Sequence, residues 1–142
     1  MFADNNNKPI LLVEDNPLDL DLTLRAFATK NITNPIQTAR DGEEALMYLE
    51  KWEQGGPTPV VILLDLNIPK VSGLDVLKVI KAHPDYKMIP VVILTTSSES
   101  SDVKTAYQLG ANSYIVKPVD FEKFIDVAGH IELYWRVLNN PA

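Results

Sequence analysis

The chain has 142 residues, 46% hydrophobic and 23% charged, which suits one globular domain and excludes wholesale disorder. Nineteen acids against thirteen bases give a formal charge of -6, a surface that repels phosphate backbones, so direct nucleic-acid binding is not expected. The absence of cysteine removes disulfides, thiolate metal sites and cysteine nucleophiles, and two histidines leave little for a multi-histidine zinc site.

Residues 1–8, MFADNNNK, are polar and lack the apolar core of a signal peptide, so they read as a flexible tail. No apolar run has the length of a membrane span, and the expectation is a cytoplasmic protein with no membrane contact. The first predicted strand is Pro9 to Val13. Asn16-Pro17 then supplies a capping side chain and a first-turn proline, with Asp19 in the same turn favouring the helix dipole. Leu20, Leu24 and Phe27 follow at helical spacing.

A weaker strand, Ile36 to Ala39, leads to Asp41-Gly-Glu-Glu44, whose spacing predicts a capping box before Ala45, Leu46 and Leu49. Gln54 to Pro59 is the longest irregular connection and reads as a surface loop. Val60 to Leu64 is the third strand. Ser72 caps a helix carrying Leu77 and Ile80, stopped by His83-Pro84. Pro90 to Leu94 is the fourth strand, and Ser97 to Ser101 leads into a helix with Val103, Ala106 and Tyr107, closed by Gly110. Ser113 to Val116 is the fifth strand. The last helix starts near Asp120, with Phe121, Phe124, Ala128, Ile131 and Trp135 on one stripe, and 139–142 read as a frayed end.

The three strongest strands are short, continuous and mostly branched, as strands are when both faces of a parallel sheet are covered. Five strands alternating with five helices predict a three-layer α/β domain over residues 9–138. Ligands in such sheets sit beyond the carboxyl ends of the strands. Those ends carry Glu14-Asp15, Asp65 with Asn67 close behind, Thr95, and Lys117-Pro118.

Each residue has a plain structural explanation by itself. Acids favour helix amino termini, Asp65 and Asn67 suit a turn, Thr95 suits a helix start, and a lone lysine is usually solvated. Convergence on one sheet edge changes that. Three carboxylates side by side repel one another, and a hard divalent cation such as Mg²⁺ relieves the strain. With a hydroxyl and a lysine added, the set suits phosphoryl transfer to a carboxylate, with Asp65 the nucleophile and Thr95 and Lys117 holding the product. His83 and His130 lie at no strand end and read as surface or packing residues. Trp52, Trp135 and the tyrosines read as core or interface rather than a cofactor cage.

VEDNP after the first strand, ILLDLNIPKVSGLDVL around Asp65, VVILTTS at Thr95 and GANSYIVKP at Lys117 resemble the receiver domain of bacterial response regulators. The resemblance covers residues 9–137, and thirty positions from Asp65 to Thr95 and twenty-two from Thr95 to Lys117 agree with it. It implies a flavodoxin-like (βα)5 sandwich with strand order 2-1-3-4-5. It implies phosphotransfer from a histidine of a partner sensor kinase to Asp65, with Mg²⁺ bound by Asp15, Asp65 and the Asn67 backbone carbonyl, and reached by Glu14 through water. Glu14 stands where aspartate is more frequent. Thr95 would be the switch residue coupled to an inward move of Tyr114, Lys117 would pair with the phosphoryl group, and the Lys117-Pro118 bond would be cis. Asn67 and Ser97 occupy the positions that tune self-dephosphorylation.

The loop Gln54 to Pro59 and the long last helix resemble the stand-alone receivers that partner bacterial phytochromes and related kinases. Such relatives dimerise through the fourth helix, fifth strand and fifth helix, a face that here includes Tyr107, Tyr114, Tyr134 and Trp135. No output domain fits after Asn139, so the expectation is a single-domain response regulator that signals by protein contact. Two other readings compete. A haloacid dehalogenase-type phosphatase also uses an Asp nucleophile, a hydroxyl and a lysine, but needs a general acid where Asn67 stands. A phosphorylation-independent pseudo-receiver usually lacks an acidic or lysine position, and none is missing.

Overall fold

The computed structural model describes residues 8–117 and 120–138, and of 134–138 the backbone alone. In chain order the elements are β1 (Ile10–Val13), α1 (Pro17–Thr29), β2 (Ile36–Ala39), α2 (Gly42–Glu53), β3 (Val61–Leu64), α3 (Gly73–Ala82), β4 (Val91–Thr95), α4 (Ser100–Leu109), β5 (Ser113–Val116) and α5 (Phe121–Leu138). The strands form one parallel sheet of order β2-β1-β3-β4-β5, the flavodoxin-like arrangement expected.

The helix punctuation works as the residue types dictate. The Asn16 side chain accepts from the backbone N–H groups of Leu18 and Asp19, with Pro17 in the first turn. Asp41 accepts from Glu44 N–H at 2.8 Å, while the Glu44 carboxylate reaches back to Arg40 N–H rather than to its own cap. Ser72 caps α3 through Asp75 N–H. At α4 the serine-rich stretch supplies no cap: Glu99 holds the cap position without a side-chain bond, and Ser97 Oγ donates to Asp102 instead. Gly110 closes α4 at φ 109°, in the left-handed region that glycine enters without steric cost.

Three strands begin one residue later than the sequence suggests, at Ile10, Val61 and Val91, and before two of them Pro9 and Pro90 have no N–H for a ladder. Their carbonyls still accept, from Val60 and Ile62 N–H, both at 2.9 Å. Alternation along the central strands divides the core between the two sheet faces. Leu11, Val13, Ile62, Leu64 and Ile93 pack with Leu49, Val76, Leu77, Ile80 and Ala106 of α2, α3 and α4. Ile10, Leu12, Leu63, Val92 and Leu94 pack with Phe27 of α1 and Phe124, Ala128 and Ile131 of α5.

Phe121 departs from the predicted buried stripe of α5 and stands exposed at its first turn. Trp135 lies outside the described side chains. Trp52 is buried, with its ring edge-on to Tyr86 at 5.2 Å. Among the described residues, no helix is long and apolar enough to cross a membrane.

Candidate functional site

Register brings the chemistry to one edge. Val13 pairs with Leu64, Leu64 with Ile93, and Thr95 with Val116, so the next residues of β1, β3 and β5 emerge level with the end of β4. The ladder continues into them: Glu14 N–H donates to Ala39 O, Asp65 N–H to Val13 O, and Lys117 N–H to Thr95 O at 2.7 Å. The functional side chains are thus fixed by sheet backbone rather than by loops. Gly73, the first residue of α3, brings that helix so close to the Asp65 carbonyl and Leu66 that a β-carbon would collide with them.

Asp65 lies at the centre and is buried. Its Oδ1 accepts from Thr95 Oγ1 at 2.8 Å and from Asn67 N–H at 2.9 Å, and its Oδ2 accepts from Lys117 Nζ at 2.8 Å. Burial opposes ionisation, but the bonds from Lys117, Asn67 and Thr95 outweigh it and hold this carboxyl below the usual aspartate value. Asp65 is therefore an ionised carboxylate at neutral pH.

Lys117 is far from the solvated lysine that its residue type suggests, its side chain being only 7% exposed. Its ammonium meets three carboxylates: Glu14 at 2.6 Å, Asp19 at 2.8 Å and Asp65 at 2.8 Å. Burial alone would lower its pKa, yet bonds to Asp19, Asp65 and Glu14 together hold it above the usual lysine value. Glu14 goes the other way. Burial, reinforced by the Asp65 charge, pushes its carboxyl up to about 7 despite the bond from Lys117. The repulsion expected among clustered acids falls mainly on this residue.

Thr95 is fully buried and aims its hydroxyl at Asp65. Tyr114 is turned inward, its hydroxyl donating to the Ser97 carbonyl at 2.7 Å, so the loop after β4 is tied to β5. Burial and nearby acids raise the Tyr114 phenol above its usual value, leaving it a donor. Ser97 N–H and the Asn67 side-chain amide each reach Thr95 Oγ1 only at a long 3.5 Å. Tyr107 is exposed, and its hydroxyl accepts from Tyr114 N–H.

Glu14, Asp15 and Asp65 form an acidic cluster in which one carboxylate oxygen from each lies within 4.8 Å of the other two. All three are hard oxygen donors, and the exposed Asp15 leaves the cluster open to water. That composition fits a small divalent cation that keeps part of its hydration.

Every predicted strand-end residue in the described chain reaches this edge. Pro118 and its preceding bond lie outside the described residues, as does the side-chain detail of Tyr134 and Trp135. His83 lies away from the site, at the end of α3, stacked on Tyr86 at 4.1 Å with Nε2 3.3 Å from Glu53. Sequence reasoning missed Asp19. Its first-turn position is fully explained by the helix dipole, and only the fold brings it to Lys117, 98 positions away. No local pattern signals that contact.

Residues 10–128 match the family model described as the response regulator receiver domain. Among curated proteins, the chain is 45% identical over 127 residues to the probable methanogenesis regulatory protein FilR2 of Methanothrix harundinacea, covering 89% of this chain and 82% of that protein. It is 39% identical over 138 residues to response regulator Rcp1 of Synechocystis sp., covering 94% of each. Among solved structures, the phosphorylated cyanobacterial phytochrome response regulator RcpA superposes with a TM-score of 0.84 at 38% identity, covering 96% of this chain and 97% of that one. The Mn²⁺-bound form of Rcp1 gives 0.82 at 39% identity, covering 95% and 97%.

Proposed function

The chain belongs to the response regulator receiver family, a family of phosphoacceptor signalling proteins rather than turnover enzymes, and from that premise we propose that Asp65 is its phosphoacceptor. The observation that carries this reading is the environment of the Asp65 carboxylate: buried, ionised, and met by a cation, a hydroxyl and a backbone N–H. Residues 9–138 act as the receiver, with 1–8 and 139–142 flanking it.

In the transfer, a carboxylate oxygen of Asp65 bonds to phosphorus as the bond from phosphorus to the kinase histidine nitrogen breaks, and that electron pair leaves with the imidazole. Lys117 and the Thr95 hydroxyl meet the phosphoryl oxygens as charge gathers on them. Asp15, Asp65 and the Asn67 carbonyl, with Glu14 through water, would hold Mg²⁺, which would supply neutralising charge at this crowded edge. The Mn²⁺-bound state of Rcp1 supports a divalent cation here. Thr95 and Tyr114 form the switch, since the Tyr114 bond to Ser97 O makes the loop that follows Thr95 responsive to β5. Asn67, two positions past the acceptor, and Ser97, two past Thr95, tune loss of the phosphoryl group.

The partner in this reading is a sensor histidine kinase of phytochrome type, as the names of RcpA and of the bacteriophytochrome response regulator AtBRR support. A homodimer through α4, β5 and α5 is the output surface, where Tyr107, Val116 and Phe121 are exposed.

The test is intact mass after incubation with Mg²⁺ and acetyl phosphate or phosphoramidate, beside Asp65→Asn, with size exclusion on both. One added phosphoryl mass in the wild type alone is the expected result. Stoichiometric labelling of Asp65→Asn overturns the assignment. An unlabelled wild type that also ignores beryllofluoride leaves a constitutive binding module.

A further inference from the structure

An ammonium has three protons to donate, and Lys117 spends all three on carboxylates. Glu14 and Asp65 belong to the acidic cluster and are drawn into any chemistry there. Asp19 does not. It sits on α1, outside that cluster, and the residue holding it to the site is Lys117. Its backbone duties are separate: its N–H donates to Asn16 and its carbonyl accepts from Thr23. The carboxylate itself is free to act on the lysine.

We infer that Asp19 is a positioning residue that competes with the phosphoryl oxygens for Lys117 and so restrains phosphoryl binding at Asp65. The inference rests on the reading of Asp65 as the acceptor and adds a restraint that the strand-end residues alone do not provide. A phosphoryl oxygen reaching Lys117 has to replace one of three existing charge-assisted bonds. Asp19 also adds a negative charge beside the place where the phosphoryl charge gathers. Both effects oppose the anion. The carboxylate is therefore a brake held by α1, so a partner that moves the first turn of this helix would change how freely Lys117 engages the phosphoryl group.

The experiment uses the whole chain as wild type, Asp19→Asn, Asp19→Glu and Asp21→Asn, the last altering an exposed acid on the same helix that pairs with Arg25. The first readout needs no ligand. The Lys117 side-chain NMR resonance is expected to shift in Asp19→Asn and to stay in place in Asp21→Asn. The second is beryllofluoride affinity at saturating Mg²⁺, expected to tighten by about threefold to tenfold in Asp19→Asn, the scale of removing one partly exposed ion-pair partner. Asp19→Glu should restore most of the wild-type affinity.

An unshifted Lys117 resonance, or an affinity unchanged or weakened in Asp19→Asn, overturns the proposal. A role confined to the start of α1 would lower stability without tightening anion binding. Failure of the wild type to bind beryllofluoride, with the Lys117 resonance still sensitive to Asp19, overturns the phosphoacceptor reading and with it the brake, while leaving the contact itself intact. The two failures are thereby distinguishable.

Discussion

Two lysines, one near each end of the sheet, make three bonds apiece, and the difference between their partners separates function from structure. At the carboxyl end, Lys117 meets three carboxylates, which raise its pKa despite burial. Near the amino end of β4, Lys81 Nζ donates to Lys87 O at 2.9 Å, Ile89 O at 2.7 Å and, over a long 3.4 Å, Asn112 Oδ1. These acceptors are neutral, and burial lowers the Lys81 pKa. A cation bound to charges can exchange one anion for another. A cation bound to main-chain carbonyls closes a loop and has nothing to exchange. The sheet thus carries a convertible site at one end and a fixed clasp at the other.

The largest way to break this comparison is Lys117→Ala. It strips the cation from three carboxylates, two of them buried, and removing one partner of a buried ion pair costs about 3 kcal/mol. Urea unfolding in EDTA should show a loss of that order, with Mg²⁺ recovering part of it by binding only the folded state. The variant should keep some labelling by small phosphodonors and lose phosphate-dependent dimerisation or partner binding. Wild-type behaviour on both counts would remove Lys117 from the switch.

The pH dependence of the metal-free protein sharpens the same contrast. Glu14 is raised from 4.5 to about 7, so the folded state holds a proton there that the unfolded chain has released. Between those values the unfolded state binds fewer protons, and stability rises as pH falls from above 7 toward 4.5. Asp65 acts oppositely and lower. Its depressed pKa contributes stability that is present above the ordinary aspartate value of 3.8 and is lost as pH falls through the folded value. Glu14→Gln should flatten the neutral limb and leave the acid limb, as read by urea midpoints in EDTA from pH 8 to pH 3. Identical slopes in wild type and Glu14→Gln between pH 7 and 5 would refute the assignment.

Much of this was legible in the sequence, and what was not has physical causes. The three central strands are continuous branched runs because both their faces are covered, so they stand out without any alternation. Their starts slipped by one residue at Pro9, Val60 and Pro90, and at the two prolines the carbonyl joins the ladder while the missing N–H cannot. Phe121 fitted a helical stripe but lies at the first turn of α5, beyond the core that Phe124, Ala128 and Ile131 fill. The strand-end residues were readable because parallel strands carry their last residues to one edge. Asp19 was not, because a first-turn acid already satisfies the helix dipole and its partner is set by the fold, which packs α1 against α5 and brings its first turn to Lys117. Lys81 was equally silent: a lysine late in a helix suits the dipole there, and nothing local announces that its ammonium folds back onto two carbonyls.

The smallest expected effect tests that second lysine. Lys81→Met keeps the aliphatic stem and removes the ammonium, leaving the Lys87 and Ile89 carbonyls without their donor, a change that costs about 1–2 kcal/mol. Asn112 keeps its bond from Val91 N–H, so the start of β4 remains registered to the turn before β5 and the fold survives. The urea midpoint should fall, while the extent of phosphorylation and the stabilisation by Mg²⁺ stay at wild-type values. The sign of its pH effect is opposite to that of Lys117. A lysine whose pKa is lowered by burial favours folding more as pH climbs toward 10.5, whereas the raised Lys117 contributes stability fully present below 10.5 and lost above it. Lys81→Met should therefore make the alkaline loss of stability steeper, because it deletes the one of these two lysines that opposes that loss. A Lys81→Met protein that matched wild type in urea, or that lost phosphorylation, would mean the two ends of the sheet are not divided as their partners indicate.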